Sequence, residues 1–493
     1  MSVISLKEPE VVIREKRLGS ITGFEGKASD LVQRAQAGKL HECTRSFSQC
    51  MNCGSGNALC QLSMIRDAAI VNHAPVGCAG DFFNYNYVYR VGQMSRDLPP
   101  SNGRYFNTNI DENDTIFGGT VKLENTVRAA YERVHPKAIF ITTSCAVAII
   151  GDDVEETANS LSEELNIPVV ACFCEGFRSK IWTSGFDAAY HSIARKIVKP
   201  PRKKTNKVNV INFWGSHIFD ELLESLGYEA QYIVPFSTVA DLEYISEAVA
   251  TIQICPTLGT YLGAALEQVY GVPEMKSPPG YGIAGTDIWL RELGKVLDRE
   301  AEIEKVILRE HARLLPQIEA YRKIFQGKKA YITAGAAHGH SLIALLRELG
   351  FTVQGAAIFH HDPIYDNGEA VSDALAHAVK TYGDVPHYNV CNKQAYELMN
   401  ILSKVHPDIM IARHGGMTIW GAKLGIPTLL IGDEQLLFGY QGLLNYAERL
   451  LETLDNKEFV TNLSKHSTIP YTKWWLEQDP FFFLGRNQNV EVY

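Results

Sequence analysis

Nowhere in the 493 residues is there an apolar run of about 18, the length a membrane-crossing helix needs. The opening MSVISLKEPEVVIREKRLGS is polar and charged, without the apolar stretch of a secretory leader. Both absences make a cytoplasmic protein the expectation. A P-loop is missing as well: no G-x-x-x-x-G-K-S/T occurs, and the nearest string, GMTIWGAK at 416–423, lacks the final hydroxyl residue. If ATP drives the chemistry, another protein binds it. Cys50 and Cys53 form a C-x-x-C, but the second such pair that a zinc ribbon requires is absent, and no internal repeat occurs. A net charge of −9 argues against nucleic acid or an acidic membrane as partner.

What remains is a chain too long for one core, so two or three domains are expected. Hydrophobic content of 46% and charge of 21% are those of a globular protein. Ten cysteines in a reducing compartment do not make a disulfide framework. Cys43, Cys60, Cys172 and Cys391 read as buried small hydrophobes.

Short β-rich apolar runs alternate with helical periods along most of the chain. AIFITTSC (138–145) leads into GDDVEETANSLSEEL, and IPVVACFCEGF follows. VNVINFW precedes FDELLESLG, AYITAGA precedes HSLIALLRELG, and PDIMIARHGG precedes a helix and IPTLLIGD. This order indicates βαβ units, parallel sheets and an α/β fold, with sites beyond the carboxyl ends of strands. Residues 286–327 have helical periodicity and predict one long or broken helix between two α/β units. PPRKKTNK (200–207) reads as a linker, giving boundaries near 205 and 328. The aromatic tail KWWLEQDPFFFLG is expected to pack on its own core or on a partner.

The chemistry-bearing residues gather in three early strings, CMNCGSGNALC (50–60), NHAPVGCAGDF (72–82) and TTSCAVAIIGDD (142–153). Cys145 ends a strand run, and Cys78 sits in a Pro/Gly turn where backbone amides can face a ligand. Thiolates in such places are stabilised, and soft thiolates suit iron–sulfur clusters, with zinc as the alternative. Cys255, in ICPTLGTYLG, stands alone and by itself reads as a core residue.

With those strings on view, the chain resembles the nitrogenase α-type (component 1) subunits. HAPVGCAG (73–80), FGGTVKLENTV (117–127), TSCAVAIIGDDVE (143–155), CEGFRS (174–179), Cys255 and FGYQGLLNYAERL (438–450) occur in the family's order from about residue 45 to 452. The resemblance implies three stacked Rossmann-like domains. An N-terminal extension (1–44) would precede a domain with cluster cysteines (45–205), a domain with the cofactor cysteine and long helical segment (206–327), a domain closing the cofactor site (328–452) and a partner-packing tail (453–493). It implies that Cys53, Cys78 and Cys145 ligate an interfacial cluster shared with a β-type subunit: an eight-iron P-cluster, or a four-iron cluster as in the scaffold relatives. Cys50 remains the alternative to Cys53, because the alignment needs a one-residue gap there. Cys255 would anchor a large iron–sulfur cofactor of nitrogenase type. The implied assembly is an α2β2 core served by a homodimeric, ATP-hydrolysing iron protein.

Departures from the family pattern narrow the activity. The second cofactor ligand, a histidine in dinitrogenase, falls at Gly432, and the lysine that helps hold homocitrate falls at Gly416. The pocket's glutamine and histidine fall at Trp182 and Phe186, one arginine falls at Asn86, and another falls near His338. Cations and a proton-donating imidazole have given way to bulk and neutral groups. That pattern resembles the methylthio-alkane reductases, and implies an all-iron cofactor without a secure homocitrate site and C–S cleavage of small methyl sulfides. Trp182, Phe186, Asn86, Tyr87 and His338 are then the candidate pocket residues. One histidine among His338, His361 and His414 is the candidate cofactor ligand. A scaffold for cofactor maturation and a divergent dinitrogenase α subunit are the alternatives.

Overall fold

The computed structural model describes residues 3–40, 53–80, 82–211, 215–391, 395–413, 415–432 and 437–481. Two compact units divide the chain. Unit 1 takes residues 1–18, 52–276 and 292–300; unit 2 takes 19–51, 277–291 and 301–493. Cys43, Cys50 and His414 lie outside the described residues.

Among the described residues, unit 1 holds two parallel sheets. The strands, numbered along the whole chain, begin with β1 (Gly23–Gly26), which belongs to unit 2. The first sheet of unit 1 has the order β3-β2-β4-β5, from β2 (Ala68–His73), β3 (Tyr105–Asn107), β4 (Ala138–Thr143) and β5 (Val169–Cys172). β2 and β4 are buried at every position, as strands covered by helices on both faces must be. The polar Asn72 and Thr142 survive there because Thr142 Oγ1 donates to Asn72 Oδ1 at 3.1 Å. The second sheet, β7-β6-β8, comes from β6 (Lys207–Ile211), β7 (Glu229–Ile233) and β8 (Ala250–Gln253). The basic string before β6 connects the two sheets inside unit 1; Arg202 there stacks on Tyr244 and pairs with Glu247 at 2.9 Å.

Among the described residues, unit 2 is built on one six-stranded sheet of order β1-β11-β10-β9-β12-β13. Its strands are β9 (Lys329–Ala334), β10 (Thr352–Ile358), β11 (His387–Cys391), β12 (Ile409–Ala412) and β13 (Thr428–Leu430), all parallel, with β1 antiparallel on the β11 edge. The parallel strands have the doubly wound 3-2-1-4-5 order, which reverses between β9 and β12. Residues 286–327 prove to be two helices, Gly282–Leu297 and Glu300–Phe325. The break falls at Asp298, whose φ of 56° leaves the helical region. The tail packs on its own unit: Tyr396 Oη and Asn400 Nδ2, on the Ala395–Val405 helix, donate to the Trp475 carbonyl at 2.8 and 3.2 Å. No helix is long and apolar enough to cross a membrane, among the described residues.

Candidate functional site

At the carboxyl end of the first sheet of unit 1, three short helical segments each deliver a cysteine. Cys53 is the N-cap of the Gly54–Ser63 helix, and Cys78 lies in the single turn Val76–Ala79 that follows β2. Cys145 opens the Cys145–Ile150 helix after β4, where the Ser144 side chain accepts from Val147 N. Helix starts present unpaired amides and favour a thiolate. Burial, together with the charges of Cys53 and Cys145, pushes the Cys78 thiol above its ordinary range. The three sulfurs thus share one neighbourhood, and none is in a disulfide.

Gly176, in the CEGFRS string, shows how little room is left beside them. A Cβ there would stand 2.9 Å from Cys53 Cβ, 3.2 Å from Cys53 Sγ and 3.7 Å from Cys145 Sγ. The FGG string contributes indirectly. Gly119 N donates to both oxygens of Asp152 at 3.0 Å, and Asp152 Oδ2 is 3.0 Å from His73 Nε2. His73 Nδ1 lies 3.1 Å from Thr108 Oγ1. This latch joins the segments leading to Cys78 and away from Cys145. Val76 and Ile149, on the turns that carry Cys78 and Cys145, are exposed, as are Ile116, Phe117 and Val121 about the FGG string.

The donor set fits an iron–sulfur group: three thiols from separate loops, two of them exposed, close enough to repel one another as thiolates.

Cys255 sits elsewhere in unit 1 and is buried. It is the N-cap of the 15-residue helix Pro256–Tyr270, with Pro256 at the first helical position. A thiolate there faces the positive end of the helix dipole, which suits it as a single-point anchor. Tyr190 lies within electrostatic reach of Cys255, and burial raises its phenol well above the usual range. Phe186 is buried and meets Trp182 edge to face with ring centroids 6.1 Å apart. Asn57 Nδ2 bridges the carbonyls of Cys53 (3.1 Å) and Trp182 (3.2 Å), linking the thiol edge to that aromatic pair. Asn86 is turned to structural use, its Oδ1 accepting from Gly103 N at 2.9 Å, and Tyr87 is exposed.

In unit 2, His338 lies in the first turn of the Ala336–Glu348 helix, past the carboxyl end of β9. Its Nδ1 is 2.6 Å from Tyr281 Oη, the two rings stack, and Nε2 is buried without a hydrogen-bond partner. Burial and the Arg413 charge hold the imidazole neutral. His361 is also buried, in a separate cluster with His340, Asp362 and Asp366.

Three features of this arrangement carried weak signals in the sequence. Arg14 and Arg17, from the N-terminal segment, converge on the buried Asp187 at 3.1 and 2.6 Å and on Thr260 of the Cys255-capped helix. Glu274 is buried with Gln253, which donates to it at 2.7 Å, and burial raises its carboxyl to about 8. GYGIAG at 280–285 has the G-x-G-x-x-G spacing, yet it follows Pro278 and Pro279 rather than a strand. The amides of Ile283 and Ala284 donate to the Glu348 carboxylate at 2.6 and 2.9 Å, so a carboxylate of the chain takes the place a phosphate would need.

The family model described as Nitrogenase component 1 type Oxidoreductase matches residues 53–455. The nitrogenase molybdenum-iron protein alpha chain of Clostridium pasteurianum is 27% identical over 395 residues, covering 75% of this chain and 71% of its own. The nitrogenase iron-molybdenum cofactor biosynthesis protein NifE of Methanococcus maripaludis is 25% identical over 454 residues, covering 88% and 89%. Among solved structures, nitrogenase Cp1 at pH 6.5 superposes with a TM-score of 0.69 at 20% identity, covering 88% of this chain and 93% of that one. That likeness establishes the nitrogenase-type α/β fold.

Proposed function

We propose, for a chain that belongs to the nitrogenase component 1 type oxidoreductases, that it is the catalytic α-type subunit of a reductase whose pocket no longer suits N2. The observation that carries this reading is the pairing of a kept thiol set with a lost proton donor. Cys53, Cys78 and Cys145 gather at one edge and Cys255 caps a buried helix, while Phe186 and Trp182 pack where the resemblance puts an imidazole and an amide. A buried phenyl ring supplies no proton and no hydrogen bond.

In this reading the three thiolates hold an interfacial cluster shared with a β-type subunit in an α2β2 core. Cys255 anchors the larger iron–sulfur cofactor, which would be all-iron. Such groups, when bound, supply one-electron transfer at low potential. An ATP-hydrolysing iron protein delivers the electrons, consistent with the absence of a P-loop here. The chain's own residues bind and enclose. Trp182 and Phe186 exclude water and present apolar surface to a small methyl sulfide. His338, oriented by Tyr281, has a buried Nε2 with no hydrogen-bond partner, which leaves it able to bind a ligand. The net reaction is R–S–CH3 plus two electrons and two protons giving R–H and methanethiol.

The test is anaerobic reconstitution with the β-type partner and iron protein under reducing MgATP conditions. Methanethiol from dimethyl sulfide or 2-methylthioethanol is expected. Its absence with every methyl sulfide tried, in a preparation carrying full iron, would end the C–S reading.

A second reading, a scaffold for cofactor maturation, is supported by the NifE relative of Methanococcus maripaludis, which matches over 454 residues where the Clostridium alpha chain matches over 395, at similar identity. A scaffold would carry a four-iron interfacial cluster and release its large cluster to an acceptor protein. Iron quantitation before and after incubation with a cluster-free acceptor separates the two.

A further inference from the structure

The six-stranded sheet of unit 2 carries a second polar centre that the reductase reading does not use. β10 runs directly into His360, His361 and Asp362, and the Ala336–Glu348 helix supplies His340. Asp366 follows in the same loop, Asp373 caps the Ala374–Tyr382 helix, and β11 supplies Tyr388. Donor atoms of His340, Asp366 and Asp373 all lie within 4.8 Å of one another, and all three residues are buried. His340 Nδ1 is 3.0 Å from Asp366 Oδ1, and its Nε2 is 2.7 Å from Tyr388 Oη.

The independent observation is His361. It is 1% exposed, its Nδ1 lies 3.7 Å from Asp366 Oδ2, and neither ring nitrogen has a hydrogen-bond partner. A buried polar atom left unpaired costs about 1–3 kcal/mol, so an imidazole with both nitrogens idle is a costly ornament. At 3.7 Å it is too far to hydrogen-bond the carboxylate but close enough to share an ion with it. His340 presents Nδ1 to the Asp366 carboxylate at 3.0 Å and Nε2 to the Tyr388 hydroxyl at 2.7 Å, so the proton held between His340 and Asp366 occupies the place a metal ion would take.

We propose that His340 Nδ1, His361 Nδ1, Asp366 and Asp373 form a binding site for one divalent transition-metal ion, zinc by chemistry. Two imidazoles and two carboxylates are borderline donors in the number zinc takes, whereas calcium and magnesium prefer more oxygens. Donors about 2.1 Å from zinc stand roughly 3.4 Å apart, so the His340, Asp366 and Asp373 group must draw in from its 4.8 Å span and His361 must swing in to join it. His361, held by no hydrogen bond, can turn to allow it. Tyr388 on His340 is the outer partner that fixes the ligating tautomer. The metal replaces the proton of the metal-free form and pins the loop carrying Asp366. No thiol takes part, so the site is independent of the iron–sulfur reading.

The experiment uses the full-length chain with its iron–sulfur groups loaded anaerobically, stripped with a chelator, incubated with zinc sulfate and desalted. X-ray absorption at the zinc edge is blind to the iron. The expected result is about one retained zinc per chain with a nitrogen/oxygen first shell, lost in His361→Ala and Asp366→Asn and kept in Cys255→Ala. No retained zinc in the wild type overturns the proposal. So does a wholly sulfur shell, or equal retention in His361→Ala. That variant removes no hydrogen bond and decides the matter if Asp366→Asn fails to fold.

Discussion

The first sheet of unit 1 and the six-stranded sheet of unit 2 put their polar side chains in the same topological place, beyond the carboxyl ends of parallel strands. They furnish it in opposite ways. The thiols of Cys53, Cys78 and Cys145 are partly open to the surface, and like charge keeps them from being comfortable ionised neighbours. The imidazoles and carboxylates of unit 2 are enclosed and tied mostly to one another: His340 to Asp366 and Tyr388, Asp373 to the amides of Leu375, Ala376 and Gly368. An open set of unengaged donors is arranged for something delivered after folding. An enclosed, largely bonded set contributes to the fold itself, whatever ion it also takes. The contrast separates residues whose loss should cost cargo alone from residues whose loss should cost stability as well.

The largest expected effect breaks the thiol edge. Cys78→Ala should abolish retention of the whole interfacial iron group while moving the unfolding free energy of the cluster-free chain by less than about 0.5 kcal/mol, as exposed substitutions do. Iron analysis and denaturant melts on the same preparation check both halves. A chain that loses stability without its clusters would show that Cys78 is structural. Asp366→Ala is the mirror experiment. It strips a buried partner from His340 and should cost about 3–5 kcal/mol, read as a lower melting midpoint. An unaffected midpoint would remove the distinction between the two sheets.

Much of this was legible in the sequence, for physical reasons that also explain what was not. Period-two and all-apolar runs with β-branched residues located the parallel strands, because a strand covered on both faces has no other composition. AIFITT became β4 and AYITA most of β9. Cys60, Cys172 and Cys391 are buried, in line with their apolar neighbours. The thiol trio was visible because turns and glycines around each cysteine are local signals. The position of the helix break, at Asp298, was not visible, since no proline marks it and the one proline there, Pro316, lies inside the second helix. Nor was the Arg14–Arg17–Asp187 cluster, whose members meet across about 170 residues of chain. The His–Asp centre did leave a trace in HHDPIYDNGEAVSD, two histidines and three aspartates in fourteen residues. Which of them are buried depends on tertiary packing.

Glu274 offers a sharper version of the same contrast from the second sheet of unit 1. Its folded carboxyl is raised to about 8, chiefly by burial, against an ordinary value of 4.5. A raised acid holds its proton in the fold and releases it on unfolding, so wild-type stability should fall as pH rises from about 4.5 to about 8. At about 1.4 kcal/mol per unit, the fall is on the order of a few kcal/mol. Glu274→Gln keeps an oxygen for Gln253 but has no proton to lose, and should gain on the wild type steadily from pH 5 to pH 8. Parallel melting curves for the two proteins would show the Glu274 carboxyl to be ionised in the fold.

The smallest effect concerns His338, which stands between the two kinds of site: buried and hydrogen-bonded at one nitrogen like His340, yet with the other nitrogen uncommitted like the thiols. Tyr281→Phe deletes the hydroxyl 2.6 Å from its Nδ1 and keeps the stacked ring. One buried hydrogen bond is worth about 1 kcal/mol, and the melting midpoint should drop accordingly. If the hydroxyl also selects which nitrogen carries the proton, the nitrogen NMR shifts of His338 should change from one dominant tautomer to a mixture. A midpoint shift with the tautomer unchanged would mean that packing alone orients the ring, and His338 would then belong with the enclosed, self-bonded residues. Both changes together would place it with the donors held ready for a ligand, as the thiols are.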